Sequence, residues 1–166
     1  MKGKPLAKVT LLAILVLLLS LKSEPQQVVD LIHQGDAYQS RKEYSAAIEA
    51  YQQAAVLRPR SSVPYLRIGQ VYLAQRRYEL AGEAFGQAYE LGAKEEALAG
   101  LGSAYAGLGD EERATNCWRQ ALALNPDNAA VHYRLGRLYL KRGGFEAAQC
   151  AALPAHRPDI PGPTKV

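Results

Sequence analysis

The three histidines are the side chains best suited to acid–base chemistry or metal binding near neutral pH. His33, His132 and His156 lie far apart in the sequence. No HExxH or GxSxG motif accompanies them, and no spacing of histidine and cysteine fits a metal site. We interpret His132 as a partly buried structural histidine. The sequence therefore predicts no catalytic residues, no metal and no cofactor.

A cluster of glycines is a second candidate, for a loop that binds phosphate. The cluster comprises Gly100, Gly102, Gly107 and Gly109. No strand precedes it, and the GxxxxGK[ST] pattern of a phosphate loop is missing. Tight packing of a helix that ends at Gly109 explains these glycines better, and no small-molecule substrate is predicted.

The formal net charge of +4 belongs almost entirely to the amino end. Lys2, Lys4, Lys8 and Lys22 lie there with only Glu24 against them, so the rest of the chain is nearly neutral. Binding a nucleic-acid backbone requires a stripe of cations. The sequence contains no such stripe, and we predict no nucleic-acid partner.

The same amino end carries an apolar run, VTLLAILVLLLSL (9–21). Alone it would span roughly 20 Å of the about 30 Å of bilayer hydrocarbon, but Lys8 and Lys22 can reach the two surfaces. We predict a signal anchor in residues 1–24, in the membrane through residues 6–21. The lysines before the run predict a single pass with a cytoplasmic amino terminus and an exported downstream domain.

Two alternatives remain for this segment. A cleaved signal peptide would leave a secreted or periplasmic protein, although the small residues expected at a cleavage site are missing. The third interpretation is a buried structural helix.

A period of 33 or 34 residues runs through the rest of the chain. A glycine, a tyrosine three residues later and an alanine twelve residues after the glycine recur four times. In the first three units a large aromatic residue follows that alanine by four: Tyr51, Phe85 and Trp118. The recurring residues are Gly35, Gly69, Gly102 and Gly136; Tyr38, Tyr72, Tyr105 and Tyr139; and Ala47, Ala81, Ala114 and Ala148.

This pattern resembles the tetratricopeptide repeat (TPR), a 34-residue helix-turn-helix unit. The resemblance covers residues 28–153 and implies an all-α fold, a right-handed α-solenoid of stacked helix pairs. Its units are 28–61, 62–94, 95–128 and a partial fourth, 129–153. Residues 154–166 contain four prolines and predict a disordered tail.

Eight helices follow from this register and from local signals. We expect Asp110 and Asp127 to open helices, and Gly69 to let its helix approach Ala81 closely. The register gives no such reason for Gly82 and Gly86. The predicted helices are 27–40, 45–57, 63–75, 79–91, 95–107, 111–124, 128–141 and 145–153.

The two cysteines fall at nearly equivalent places in adjacent units. Cys117 and Cys150 would lie on stacked helices whose axes are about 8 to 10 Å apart. Bridged cysteines need Cα atoms within about 7 Å. We therefore predict two free, partly buried thiols.

In the TPR family, the first helices of successive units line a concave groove. Transferred by register, the resemblance implies a mostly apolar lining that could accept a peptide or an amphipathic helix. The groove residues predicted in this way are Ile32, Asp36, Gln39, Leu66, Gln70, Leu73, Ala99, Ser103, Ala106, Tyr133 and Arg137.

One family function is not expected. The clamp that grips acidic chaperone tails requires cations or amides at five places, where this chain has Ile32, Asp36, Arg67, Glu96 and Gly100. Four of these five residues are neutral or acidic, so they cannot form an ion pair with a carboxylate.

These features favour a non-enzymatic scaffold that binds a protein partner in the groove, within a membrane or envelope assembly. A self-associating structural protein, whose incomplete fourth unit pairs with a second copy, is the alternative.

Overall fold

A computed structural model of the protein describes residues 24–141 and Gly143, with side chains from Gln26 onward. This part of the chain is helical, with short turns and no strand. The predicted apolar run, the eighth helix and the tail lie outside the described residues. The helices are α1 (Glu24–Ser40), α2 (Tyr44–Leu57), α3 (Val63–Ala74), α4 (Tyr78–Glu90), α5 (Lys94–Gly107), α6 (Glu111–Leu124) and α7 (Ala129–Lys141).

The helix bounds agree with the repeat register. Only α1 differs by more than one residue, since it begins at Glu24 and not at residue 27. The described residues fall into two compact units, the first ending at Pro64 and the second beginning at Tyr65. The first contains α1 and α2, and the second contains α4 to α7 with most of α3.

The first helices of three repeats end in the same hydrogen-bonding pattern. At the end of α1, the backbone N–H of Glu43 donates to the carbonyl of Tyr38 at 2.9 Å, and that of Lys42 donates to Gln39. This pair of bonds is a Schellman motif, which satisfies carbonyls that a helix end would leave unpaired. In the other two repeats, the equivalent of the bond from Glu43 to Tyr38 is donated by the backbone N–H of Arg77 to the carbonyl of Tyr72, and by that of Asp110 to the carbonyl of Tyr105.

The motif places one residue of each turn in the left-handed region. Gly109 has φ +83°, which confirms the predicted helix end there. Lys42 and Arg76 occupy the same place with φ 63° and 60°. The left-handed conformation costs a non-glycine residue about 1 to 2 kcal/mol. The motif therefore forms in these two turns although neither has a glycine at that position.

Aromatic rings packed on glycines hold each helix pair together. The rings of Tyr51, Phe85 and Trp118 are at most 3% exposed. A Cβ atom on Gly35 would lie 2.3 Å from the Tyr51 ring, and one on Gly102 would lie 2.4 Å from Trp118. Such distances are far inside van der Waals contact, so only glycine allows this approach.

The structure gives a further reason for Gly69. A Cβ there would lie 2.8 Å from the ring of Phe85, which therefore requires the glycine, and the expected close approach to Ala81 stays a prediction. The same ring would lie 2.4 Å from a Cβ on Gly100, in the next repeat. Phe85 thus joins α3 to α5. By contrast, a Cβ on Gly82 or Gly86 would meet nothing within 4 Å, so packing does not require these glycines.

Side-chain caps begin two of the helices. The Asp110 carboxylate accepts from the backbone N–H of Arg113 at 3.0 Å, as predicted. The prediction for Asp127 is wrong, because Asn128 accepts from the N–H of Val131 at 3.0 Å. The chain takes one more residue to turn after Pro126, and α7 begins at Ala129.

Candidate partner-binding groove

Five predicted groove residues line one hollow in the second compact unit. The buried Phe85 is part of the lining, and the hollow has a volume of about 210 Å³. Leu66 and Leu73 also pack against the buried cluster around Phe85, so this hollow is a direct extension of the core. The five residues are Leu66, Gln70 and Leu73 of α3 and Ala99 and Ser103 of α5.

A second hollow of about 440 Å³ lies between α5 and α7. Ser103, Ala106 and Arg137 line it, and each was predicted for the groove. Ser103 and Arg134 line both hollows, so the two form one continuous groove. We call this surface the α3–α5–α7 groove.

Most hydrogen-bonding groups on the α5 wall are already used. The Ser103 hydroxyl donates to the carbonyl of Ala99 at 2.9 Å. The indole N–H of Trp118 donates to the same carbonyl at 3.2 Å. Apart from the exposed carboxylate of Glu96, the α5 wall therefore offers a partner mainly shape and apolar contact.

The α7 wall is different, because it is cationic. Arg134, Arg137 and Lys141 all line the hollow between α5 and α7, against one carboxylate, that of Glu111. Lys141 is already paired with Glu111 at 2.9 Å. The expectation of a mostly apolar lining therefore holds for α3 and α5 and fails at α7.

Several lining residues were not predicted, for two reasons. Arg134 and Lys141 lie three and four residues from Arg137, so the helical period alone could have found them. Phe85 and Trp118 belong to second helices, which the family register places outside the groove. Their signal was the glycine opposite each ring.

Tyr133 lines neither hollow. Its side chain is 64% exposed, and the guanidinium of Arg137 lies over its ring at 5.7 Å from the centroid. An exposed contact of this kind contributes about 0.5 to 1 kcal/mol. Tyr133 therefore supports the position of Arg137 at the edge of the groove.

The three predicted groove residues of α1 belong to the first compact unit. Ile32, Asp36 and Gln39 are half-buried there. The fully buried Tyr51 donates its hydroxyl to Asp36 Oδ1 at 2.7 Å, and the Gln39 Oε1 lies 3.1 Å away. The polar ends of these two groove residues are thus held by the core of their own helix pair.

The first unit also contains a hollow that was not predicted. It lies between α1 and α2, has a volume of about 780 Å³, and includes the 77%-exposed side chain of Val56. Asp30 and Glu49 are the charged residues that line it, both acidic.

His132 and Cys117 agree with structural interpretations. His132 is partly buried, and its Nε2 lies 2.7 Å from the carbonyl of Pro126. Cys117 is a half-buried free thiol, and burial raises its pKa. Cys150 lies outside the described residues, so the prediction for the pair stays a prediction.

Neither a metal centre nor a membrane span is found in the described part of the chain. No three His, Cys, Asp or Glu side chains of residues 24–141 are grouped to hold an ion. None of the seven helices is both long and apolar enough to cross a bilayer. The apolar run at 9–21 is not among them, so the anchor stays a prediction.

Comparison with known protein families supports the repeat pattern. The family model described as TPR repeat matches residues 35–76 and 102–143, and the tetratricopeptide repeat model matches residues 64–93. Together they cover more than half of the chain. The protein belongs to the TPR family, and its fold is the predicted all-α TPR solenoid.

Solved structures agree on the fold. The crystal structure of MamA matches with a TM-score of 0.65 and 22% identity, over 80% of this chain and 78% of that one. The Arabidopsis OM64 TPR domain matches with a TM-score of 0.66 and 21% identity, over 72% and 99%. The second TPR domain of human RPAP3, solved with the HSP70 peptide SGPTIEEVD, matches with a TM-score of 0.64 and 23% identity, over 70% and 98%. A search of curated protein sequences finds no match.

Proposed function

We propose that the protein is a non-enzymatic scaffold that binds a peptide or helix of a protein partner in the α3–α5–α7 groove. The observation that carries this proposal is the coincidence of seven register-predicted residues in one continuous groove. Seven other lining residues are charged or polar, or are buried aromatic rings that fix the groove's shape. A preformed concavity that combines apolar side chains with a few polar and charged groups is the usual form of a binding site.

Structural relatives support a peptide as the partner. Both the first and the second TPR domain of RPAP3 have been solved with short peptides. Four of the five places that would grip an acidic chaperone tail remain unfavourable here. Gly100, one of them, is buried against Phe85 and has no room for a side chain. The partner is therefore expected to use other contacts.

Photo-crosslinking in source cells tests the groove assignment. Benzoylphenylalanine replaces the exposed Gln70 or Arg137 within the groove, and the exposed Gln87 or Gln120 on the second helices as matched controls. We expect one discrete adduct from the groove positions and none from the controls. Adducts from the controls alone would contradict the proposal. An adduct with the mass of two copies would favour the alternative, a self-associating structural protein.

We propose further that residues 6–21 anchor the chain in a membrane, with the repeats exported into an envelope assembly. The lysine-flanked apolar run supports this proposal. Protease added to intact source cells, or to cells with a permeabilised outer envelope, is expected to digest the repeats and leave an anchored stub. Protection until the inner membrane is breached would reverse the topology. Release of the full repeats without a stub would favour a cleaved signal and a secreted or periplasmic protein.

A further inference from the structure

Three cations of α7 form a stripe along one side of the groove. Arg134, Arg137 and Lys141 are separated by three and four residues, which places them on one face of a helix. All three are exposed, and they line the hollow between α5 and α7 together with the buried Leu138. The stripe therefore faces the open hollow between α5 and α7.

The elements packed against this hollow neutralise little of the charge. From α5 come Ser103 and Ala106, which carry none. From α6 comes Glu111, which pairs with Lys141. Among the described residues, no carboxylate lies within ion-pairing distance of Arg134 or Arg137. Two guanidinium groups thus keep their hydrogen-bond donors available to a ligand.

The α3 end of the groove carries one carboxylate, in a hollow that Arg134 of α7 also lines. The exposed Glu96 lines the hollow between α3 and α5, beside Leu66 and Leu73. A carboxylate at that end would repel acidic groups of a partner and leave apolar side chains favoured there. Charge along the groove therefore changes from acidic and apolar at α3 and α5 to basic at α7.

We propose that the occupant of the groove is a peptide segment with an apolar half, which lies over Leu66 and Leu73, and an acidic half, which pairs with Arg134 and Arg137. This inference rests on the proposed function, and it adds the chemistry of the partner. Guanidinium groups bind carboxylates through paired, charge-assisted hydrogen bonds, which makes arginine better suited than lysine to this task. The rise of an α-helix separates the two arginines by about 4.5 Å, which suits acidic residues close together in the partner. These cations occupy none of the five clamp positions of the chaperone-binding members.

Fluorescence anisotropy with synthetic peptides tests the proposal on the full chain. The probe is a capped peptide with a leucine block joined to a glutamate block, made in both orders. Its match has glutamine in place of every glutamate. We expect the glutamate probe, in one order, to bind at least about tenfold tighter than its match. The preference should shrink as salt is raised, because exposed charges are screened.

Matched variants locate the interaction. Arg134→Gln with Arg137→Gln should remove the preference for glutamate. Arg58→Gln with Arg60→Gln removes the same charge from exposed positions of the first unit and should leave the preference intact. Arg134→Glu with Arg137→Glu should reverse it, so that a lysine version of the probe binds better. This gain of binding separates a direct contact from a loss of folding.

The outcomes distinguish this inference from the proposed function. Equal binding of the glutamate and glutamine probes, or no binding of the glutamate probe at about 1 mM, would overturn the acidic-partner inference. The groove assignment would still stand if crosslinks formed at Gln70 and Arg137. A preference for glutamate that persists in the double glutamine variant would also overturn the inference, because the charge responsible would lie elsewhere.

Discussion

Asp36 of α1 and Arg137 of α7 occupy the same place in their repeats but differ in availability. The carboxylate of Asp36 accepts a 2.7 Å hydrogen bond from the buried Tyr51. The guanidinium of Arg137 lies over the exposed ring of Tyr133 and beside the open hollow. Repeat register thus predicts which side of a helix a residue occupies. Whether its polar group is free for a partner depends on the second helix packed behind it.

A methyl group on Gly35 should have the largest effect, because it would disrupt the contact between Tyr51 and Asp36. Its Cβ would lie 2.3 Å from the fully buried Tyr51 ring, which would have to leave both its pocket and Asp36. We expect Gly35→Ala to lower the free energy of unfolding by about 1 to 3 kcal/mol. Urea unfolding followed by circular dichroism measures the change. An unaltered midpoint would mean that the ring moves without cost.

Removal of the Tyr51 hydroxyl tests the polar contact separately. Tyr51→Phe leaves the ring in place and leaves the half-buried Asp36 carboxylate without this donor. We expect a loss of about 1 to 2 kcal/mol in the free energy of unfolding. Tyr133→Phe is the matched control at the other end, where the ring is 64% exposed and the change should stay below about 0.5 kcal/mol. Equal effects from the two variants would contradict the contrast between Asp36 and Arg137.

Gly82 and Gly86 provide a prediction of opposite sign to that for Gly35. Both lie inside α4, and a Cβ on either would meet no atom within 4 Å. Each change to alanine should raise the free energy of unfolding by about 0.5 to 1 kcal/mol, since alanine favours the helix and restricts the unfolded chain. Thermal unfolding of Gly86→Ala beside Gly35→Ala gives a direct comparison. Destabilisation by Gly86→Ala would indicate a contact on that face of α4.

The smallest effect on stability is expected at Arg137 itself. Arg137→Gln removes one exposed stacking contact and no described ion pair, so the free energy of unfolding should change by less than about 0.5 kcal/mol. Crosslinking from Gln70 to the partner should nevertheless weaken in this variant. A large loss of stability would show that Arg137, like Asp36, has a structural role.

Much of the fold could be predicted from the sequence, and the groove only in part. The recurrence of Gly35, Gly69 and Gly102 predicted the helix pairs, because it matches the TPR register. That the rings of Tyr51, Phe85 and Trp118 pack on these glycines was seen only in the structure. Leu66, Gln70, Leu73, Ala99 and Ser103 line one hollow, and their role in binding a partner stays a prediction. Arg134 and Lys141 were missed, because the family register does not include their positions. Both nevertheless lie on the same face of α7 as Arg137. The cap of α7 is Asn128 and not Asp127. This could not be predicted, because it depends on the conformation of the turn after Pro126.

The sequence by itself determined the repeat, the helices and the sides they turn toward the core, because these follow from periodicity and from local backbone preferences. Only the tertiary structure decided which glycines outside the repeat pattern carry a ring, since a Cβ on Gly100 would lie 2.4 Å from Phe85 and one on Gly82 would meet nothing within 4 Å. It also decided which polar groups are used. Asp36 and Arg137 occupy the same repeat position. The hydroxyl of the buried Tyr51 donates to Asp36, whereas Arg137 is exposed to solvent. Hydrogen bonds and ion pairs form between side chains that are distant in sequence, so their pairing depends on the folded arrangement of helices.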